Sequence, residues 1–450
     1  MRRGSIRKSR RSVALTLVAS SAVYATAAEA SATLSQADGR AGGTIGTGAD
    51  KASVDRFSRN RNIAVQQRPR PDYEARGGRF GLVMAYPRIE IAAEHSDNIF
   101  ATAQAPSGDA VVHIRPELSL EVDGPRHFVS AYVRGALNRH RRFSSEDTDD
   151  YGFGGSVRVD VRRLSALSAG ADFNRASEPR TSPGAPSAAV SPIRFETASA
   201  YVAAAMTSGR IKLTARSDLR SLDYADGLDR TGRVIDQDAR DREVGSLLGR
   251  IDAAASPDAA VFFQATANRR DYDRSEASGR PPRSSQGVEY LAGANFEVSA
   301  LVRGEVAVGY IKQDFDDPTY DDAARFGGRA QLDYFLSPLT TLTLGAGRTV
   351  EDAATPGAGG YVASSASLTL DHELLRNLIL TARLTYSKDE YQGLDRNDRR
   401  LQARVGATYL VNRNLGVSLV AATLKTSSDG VDRDQDFTVN RLTLSLVTQF

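Results

Sequence analysis

From about Tyr86 onward, apolar and polar side chains alternate with period two, and few folds are open to a 450-residue chain dominated by that pattern. In "FGGRAQLDYF", Phe326, Ala330, Leu332 and Tyr334 share one parity, against Arg329, Gln331 and Asp333. In "GYVASSASLTLD", Val362, Ser364, Ala366, Leu368 and Leu370 follow Tyr361, against Ser365, Ser367, Thr369 and Asp371. "RRLQARVGATYLV" sets Leu401, Ala403, Val405, Ala407, Tyr409 and Val411 against Gln402, Arg404 and Thr408. "SGRIKLTARSDLR" sets Ile211, Leu213, Ala215 and Leu219 against Lys212, Thr214, Arg216 and Asp218. Such stretches are strands with one apolar and one ionic face.

The connections alternate as well. Tight ones ("DGPRH", "TSGR", "SPDA", "SPLT", "LRNL", "NRNL") take turns with long polar ones such as "RASEPRTSPGAPSAAVSP" and "SLDYADGLDRTGRVIDQDARDRE". Counting between them predicts about 18 strands, with both ends of the array on the short-turn side. That layout is an all-β, antiparallel up-and-down transmembrane barrel, in which closure satisfies every backbone group. Stacked soluble sandwiches are disfavoured, because they bury one strand face under large apolar side chains. Here one face holds Ala, Val and Leu with scattered Tyr and Phe, and the other is charged in nearly every strand. Hydrophobic residues at 41% and a mean hydropathy of -0.36 exclude a helical membrane bundle, and no internal stretch approaches the roughly 20 apolar residues of a spanning helix.

The first thirty residues read as a signal peptide: a basic "MRRGSIRKSRR", an apolar "SVALTLVASSAVYATA", and the small-x-small site Ala28, Glu29, Ala30. Its removal changes the charge from 58 basic against 55 acidic residues to 52 against 54, so the basic balance gives no support for nucleic-acid binding. Residues 31–78 are expected to be a flexible periplasmic arm, rich in Arg, Pro and Gly. Within it Arg68-Pro69-Arg70-Pro71 should be extended. Its arginines (Arg56, Arg59, Arg61, Arg68, Arg70, Arg76) would dock a periplasmic export partner or plug the lumen. Residues 79–450 form the barrel.

The final stretch "LTLSLVTQF" keeps the alternation: Leu442, Leu444, Leu446 and Phe450 on one parity, Arg441, Thr443, Ser445 and Gln449 on the other. It is expected to pair with the first strand, with Phe450 as the signal shown to the β-barrel assembly machinery.

"RPRPDYEARGGRFGLVMAYPRIEIAAEHSDNIFAT" resembles the opening of the putative β-barrel porin 2 family. The matching elements are Arg68 to Tyr73, Gly77 and Gly78, Pro87, and Asp97-Asn98-Ile99-Phe100. The resemblance implies a porin-like outer-membrane barrel, and members often accompany exopolysaccharide or capsule export systems.

Chemistry-bearing motifs are sparse. The absence of Cys removes disulfides, thiolate metal sites and thiol nucleophiles. Five histidines (His95, His113, His127, His140, His372) have no metal-ligand spacing, and no motif sets a Ser or Asp beside one as a nucleophile needs. No enzyme activity, metal or cofactor is expected. The acidic loops lack the ligand frame of a dedicated calcium site and are expected to share divalent ions with lipopolysaccharide.

The functional candidates are ionic side chains of lumen parity: Arg134, Arg158, Asp160, Lys212, Arg216, Asp218, Arg250, Asp252, Arg329, Asp333, Arg383 and Arg404. Such residues set the field in a pore, or pair across neighbouring strands and merely solvate the wall. Acids and bases are nearly balanced, so strong ion selectivity is not expected. Few aromatics are expected to face inward, which argues against a stacked sugar track. The favoured function is a passive outer-membrane conduit, through which an exported polysaccharide leaves. A general diffusion porin is the alternative, as is a closed barrel that works through its loops.

Overall fold

The computed structural model describes residues 62–275 and 279–450. The signal peptide and residues 31–61 of the expected arm, with Arg56, Arg59 and Arg61, lie outside the described residues.

Eighteen long strands follow one another. The first six are β1 (Val83–Ser96), β2 (Asp109–Asp123), β3 (His127–His140), β4 (Thr148–Arg162), β5 (Ser165–Ser177) and β6 (Arg194–Ser208). Then come β7 (Ile211–Tyr224), β8 (Arg242–Ser256), β9 (Ala259–Tyr272), β10 (Ser285–Val298), β11 (Val302–Phe315) and β12 (Ala323–Ser337). The last six are β13 (Thr340–Asp352), β14 (Gly360–Leu375), β15 (Leu378–Tyr391), β16 (Asn397–Leu410), β17 (Leu415–Asp429) and β18 (Phe437–Gln449). Each pairs antiparallel with the next, and β18 pairs with β1 from Gln449–Arg88 to Arg441–Ser96, so the sheet closes on itself.

Connections at one end are turns such as 163–164, 209–210, 257–258 and 299–301; at the other they are loops such as 97–108, 178–193 and 225–241. Loop 225–241 carries its own two-residue ladder, Gly227–Leu228 against Val234–Ile235, and adds no wall strand. Strands of 13 to 16 residues exceed the roughly 9–11 that cross a bilayer, so the wall rises beyond the hydrocarbon.

The apolar parity lies outside. Val133, Phe153, Leu219, Val308, Phe326, Val405 and Leu444 are all exposed, as a hydrocarbon-facing surface requires. A break occurs at the long-loop end of one seam. β12 and β13 pair from Ser337–Thr340 only as far as Gly328–Arg348, whereas β13 and β14 stay paired to Asp352–Gly360. Beyond the break Val350 and Val362, on the outward parity of Leu344 and Leu368, are buried against Ile311 and Ala323. Ile311 and Ala323 have lumen parity. The tip of the β13–β14 hairpin, residues 349–362, has therefore left the wall and lies against the inner face of β11 and β12.

Candidate functional site

The site is the lumen, and the inturned hairpin tip divides it. Beyond the end of its ladder with β12, the Val350 carbonyl accepts a hydrogen bond from Arg270 Nη2 at 2.9 Å, so an arginine of β9 supplies the donor that the wall no longer provides. Arg270 also pairs with Asp352 at 2.7 Å, and Arg242 of β8 pairs with the same carboxylate at 2.9 Å. Arg283 donates to the Ala353 carbonyl from loop 273–284. All of these side chains are buried.

Loop 178–193 crosses from the far side to meet the tip. A Cβ placed on Gly184 would overlap Ala354, so only glycine allows this approach. The loop is anchored by Glu178, which takes two bonds from Arg240 at 2.8 and 3.0 Å, and by Arg180, which is bidentate on Glu146 at 2.7 and 2.9 Å. Burial alone would depress the Arg240 guanidinium; the Glu178 carboxylate reverses this and holds its pKa above the ordinary arginine value. A space of about 510 Å³ lies between the loop and the inner face of β16–β18, bordered by Phe100, Ala185, Asp398, Thr426 and Gln435.

The expectation of few inward aromatics needs correction. Phe195, Tyr224, Tyr272, Tyr361 and Tyr391 all have lumen parity at the long-loop end, and all are buried. Arg240 lies 3.9 Å over the Tyr224 ring and Arg396 4.6 Å over Tyr391. The rings are stacking supports for the arginines of the constriction; buried as they are, they form no open track for sugars.

The twelve predicted ionic residues all sit on the parity opposite the exposed apolar face. The structure brings several of them together. Arg250 pairs with Asp252 at 2.7 Å and Glu305 at 2.9 Å, and Arg329 reaches the same Glu305 at 3.1 Å. Arg158 pairs with Asp160, Arg216 with Asp218, and Asp333 with Arg303. Arg134 donates to Asn174, and Lys212 is buried. Arg383 and Arg404 stand opposite each other in register on β15 and β16, with Arg383 exposed to the lumen. Some pairing runs along a strand, two residues apart, as in Arg88–Glu90, Arg158–Asp160, Arg216–Asp218, Arg250–Asp252 and Arg396–Asp398. Pairing between strands is the commoner mode, as in Arg115–Glu90, Arg303–Asp333, Arg329–Glu305 and Arg400–Asp389. An Arg-x-Asp signal was present in the sequence and went unread.

The acidic loops use their carboxylates locally. Asp317 caps Thr319, Asp322 accepts the Phe315 amide, and Asp434 pairs with Arg396. Asp226, Asp236 and Asp238 come together in loop 225–241, where Asp226 and Asp236 accept backbone amides and Asp238 pairs with Arg274.

At the short-turn end, residues 62–77 run along the inside of the rim. Val65 packs on Ile379 and Leu410, Gln66 donates to Asp371, and Arg68 and Arg70 both pair with Glu373, at 3.1 and 3.0 Å. Arg376 holds the Pro69 carbonyl, Arg413 that of Pro71, and Gln449 that of Tyr73. Arg68 is extended, with φ -68° and ψ 126°. The conspicuous opening motif thus consists of fasteners. Asp97 takes both amide groups of Asn440 at 2.7 Å, and the buried Asn98 bonds the Thr102 and Thr438 carbonyls, which ties the first loop to β18 where the cylinder closes. Phe450 is exposed on the outward parity, its amide bonded to the Pro87 carbonyl at 3.2 Å.

A sequence profile described as putative beta-barrel porin 2 matches residues 70–450. No curated protein matches the chain. Among solved structures, a mutant of the ferric enterobactin receptor PfeA from Pseudomonas aeruginosa is 7% identical over 81% of this chain and 80% of that one, with a TM-score of 0.46. The siderophore receptor PiuA from Acinetobacter baumannii is 10% identical, covering 81% and 82%, with a TM-score of 0.46. OpdL from Pseudomonas aeruginosa is 13% identical, covering 82% and 99%, with a TM-score of 0.42.

Proposed function

Because this chain belongs to the putative β-barrel porin 2 family, we propose that it is a passive outer-membrane conduit and that an exported polysaccharide is its cargo. The observation that carries this reading is the divided lumen, packed solid on one side and left open beside an ionic wall on the other. Long loops take the cell surface, where their acids meet lipopolysaccharide; short turns and the residue 62–77 segment take the periplasm, where that segment meets an export component. Assembly machinery reads Phe450, and the protein has no catalytic role.

Planar-bilayer recording tests the conduit. Discrete conductance steps are expected from the purified barrel, and shortening loop 178–193 by residues 181–187 should enlarge them. Silence from both proteins sinks every conduit version. Loss of surface polysaccharide from a deletion strain with small-solute uptake intact supports export over general diffusion; intact polysaccharide with reduced uptake reverses that choice. A second reading, a closed barrel acting through its loops, is favoured by the Gly184–Ala354 contact and by the segment along the opposite rim.

A further inference from the structure

The outer face of β4–β9 near the short turns is concave. A groove of about 580 Å³ has a floor of small residues, Ala204, Ala215 and Gly249, between walls that include Leu167, Met206 and Phe263. A Cβ added to Gly249 would meet nothing within 4 Å, so open space stands in front of this backbone. The surrounding face is apolar and exposed. In a bilayer such a hollow must be filled, since unfilled space forfeits dispersion contacts along its whole lining.

The rim below the groove identifies what fills it. The turns 163–164 and 209–210 are adjacent, joined by the Thr207 amide on the Leu164 carbonyl at 2.8 Å. Each carries an exposed arginine, Arg163 and Arg210, and neither side chain makes an ion pair among the described residues. Many arginines of the lumen wall hold a carboxylate, as Arg250 and Arg270 do; Arg163 and Arg210 stand at the outer rim without one. Two unpaired guanidinium groups at the edge of an apolar hollow match the two halves of a lipid: phosphate at the rim, hydrocarbon in the groove.

We propose that this face holds an anionic diacyl phospholipid of the inner leaflet, one acyl chain in the groove and its phosphate against Arg163 and Arg210. The assignment of leaflet rests on the reading that the short turns face the periplasm. A flexible chain suits a hollow framed by six strands, and no complementary ridge on a second copy is needed.

The test is native mass spectrometry of the detergent-purified full chain titrated with phosphatidylglycerol or phosphatidylcholine. A retained phosphatidylglycerol adduct is expected, stronger than that of phosphatidylcholine. Gly249→Phe fills the groove and should abolish both adducts. Arg163→Gln and Arg210→Gln should each weaken phosphatidylglycerol binding about fivefold and weaken phosphatidylcholine, whose phosphate already has its own choline cation beside it, far less. Adducts that survive Gly249→Phe, or native binding indifferent to headgroup charge, would overturn the site; so would a native dimer that Gly249→Phe dissociates. The heat-modifiable gel shift and bilayer conductance report that the variants fold. Orientation is read separately with Leu164→Cys, the sole thiol in the chain. Its labelling by an impermeant maleimide on intact cells would overturn the leaflet, and with it the choice of phospholipid. No labelling, together with adducts insensitive to Gly249→Phe, would overturn the groove alone.

Discussion

The inner faces of β8–β12 and of β15–β18 with β1–β4 have the same alternating pattern and different fates. In the first sector Gln264, Thr266, Leu291, Glu305, Ala307 and Gln313 are all buried, and side chains three strands apart touch, as Arg250 does Glu305 and Arg329 does Gln264. In the second, Glu117, Arg158, Asp160, Arg383 and Arg441 remain open to water to varying degrees. Glycine accounts for part of the difference. A Cβ on Gly309 would overlap the Tyr290 carbonyl, and one on Gly293 would stand 2.6 Å from the Phe262 ring. Only a bare backbone lets the first sector curl tightly enough to fill its own concave side. A strand pattern therefore specifies which face is polar; the local curvature decides whether that face meets water or protein.

The largest test of this contrast is the arginine pair Arg270 and Arg383. Arg270→Ala leaves Asp352 buried with one partner fewer and should cost about 3–5 kcal/mol, whereas Arg383→Ala should stay within about 0.5 kcal/mol. Urea midpoints of the heat-modifiable band measure both, and equal losses would break the distinction. Next is a pair of glycines. Gly309→Ala overpacks and should cost about 1–3 kcal/mol, while Gly347→Ala, whose Cβ would meet only Ser365 Oγ at 3.9 Å, should be neutral or stabilise by up to about 1 kcal/mol. Smaller in energy is a change of field: Arg383→Glu with Arg404→Glu should move the reversal potential toward cations with the urea midpoint unchanged. A midpoint shift instead would put these residues among the packed ones.

The smallest effect concerns the loop that roofs the packed sector. Burial, helped by Asp223 and Asp238, pushes Asp241 up to about 6. Its folded pKa lies above the unfolded value of about 3.9, so its contribution is full below that value and is lost as pH rises through about 6. Hydrogen exchange in loop 225–241, corrected for intrinsic rate, should be faster at pH 7 than at pH 5. Asp241→Asn should remove the difference, and solvent screening of this half-exposed group keeps it modest.

The cylinder was legible because its residues obey one rule. Phe326, Tyr334, Val405 and Leu444 alternate and face outward as read. The turn at 299–301 was harder to see, since Ser299 and Ala300 take φ of 51° and 54° without the Gly or Asn that usually announces such a hairpin. The division of the lumen was not legible. Val350 and Val362 carry the same pattern as their exposed neighbours, and alternation cannot distinguish contact with hydrocarbon from contact with another strand's inner face. The reach of loop 178–193 depends on what stands opposite it, and a local stretch holds no such information beyond its length. Tyr361 and Tyr391 were hidden for a related reason: their parity puts them inside, where a count of aromatics along the apolar face passes over them.

Residues 349–362 belong to the rim by pairing order and to the throat by position. With that stretch turned in, the cylinder has a notch between β12 and β13, patched by the guanidinium of Arg270. Swinging it back would mend the notch and clear its own share of the throat, so bolt and staple are a single piece of chain. For this hairpin, completing the rim and narrowing the bore are alternatives.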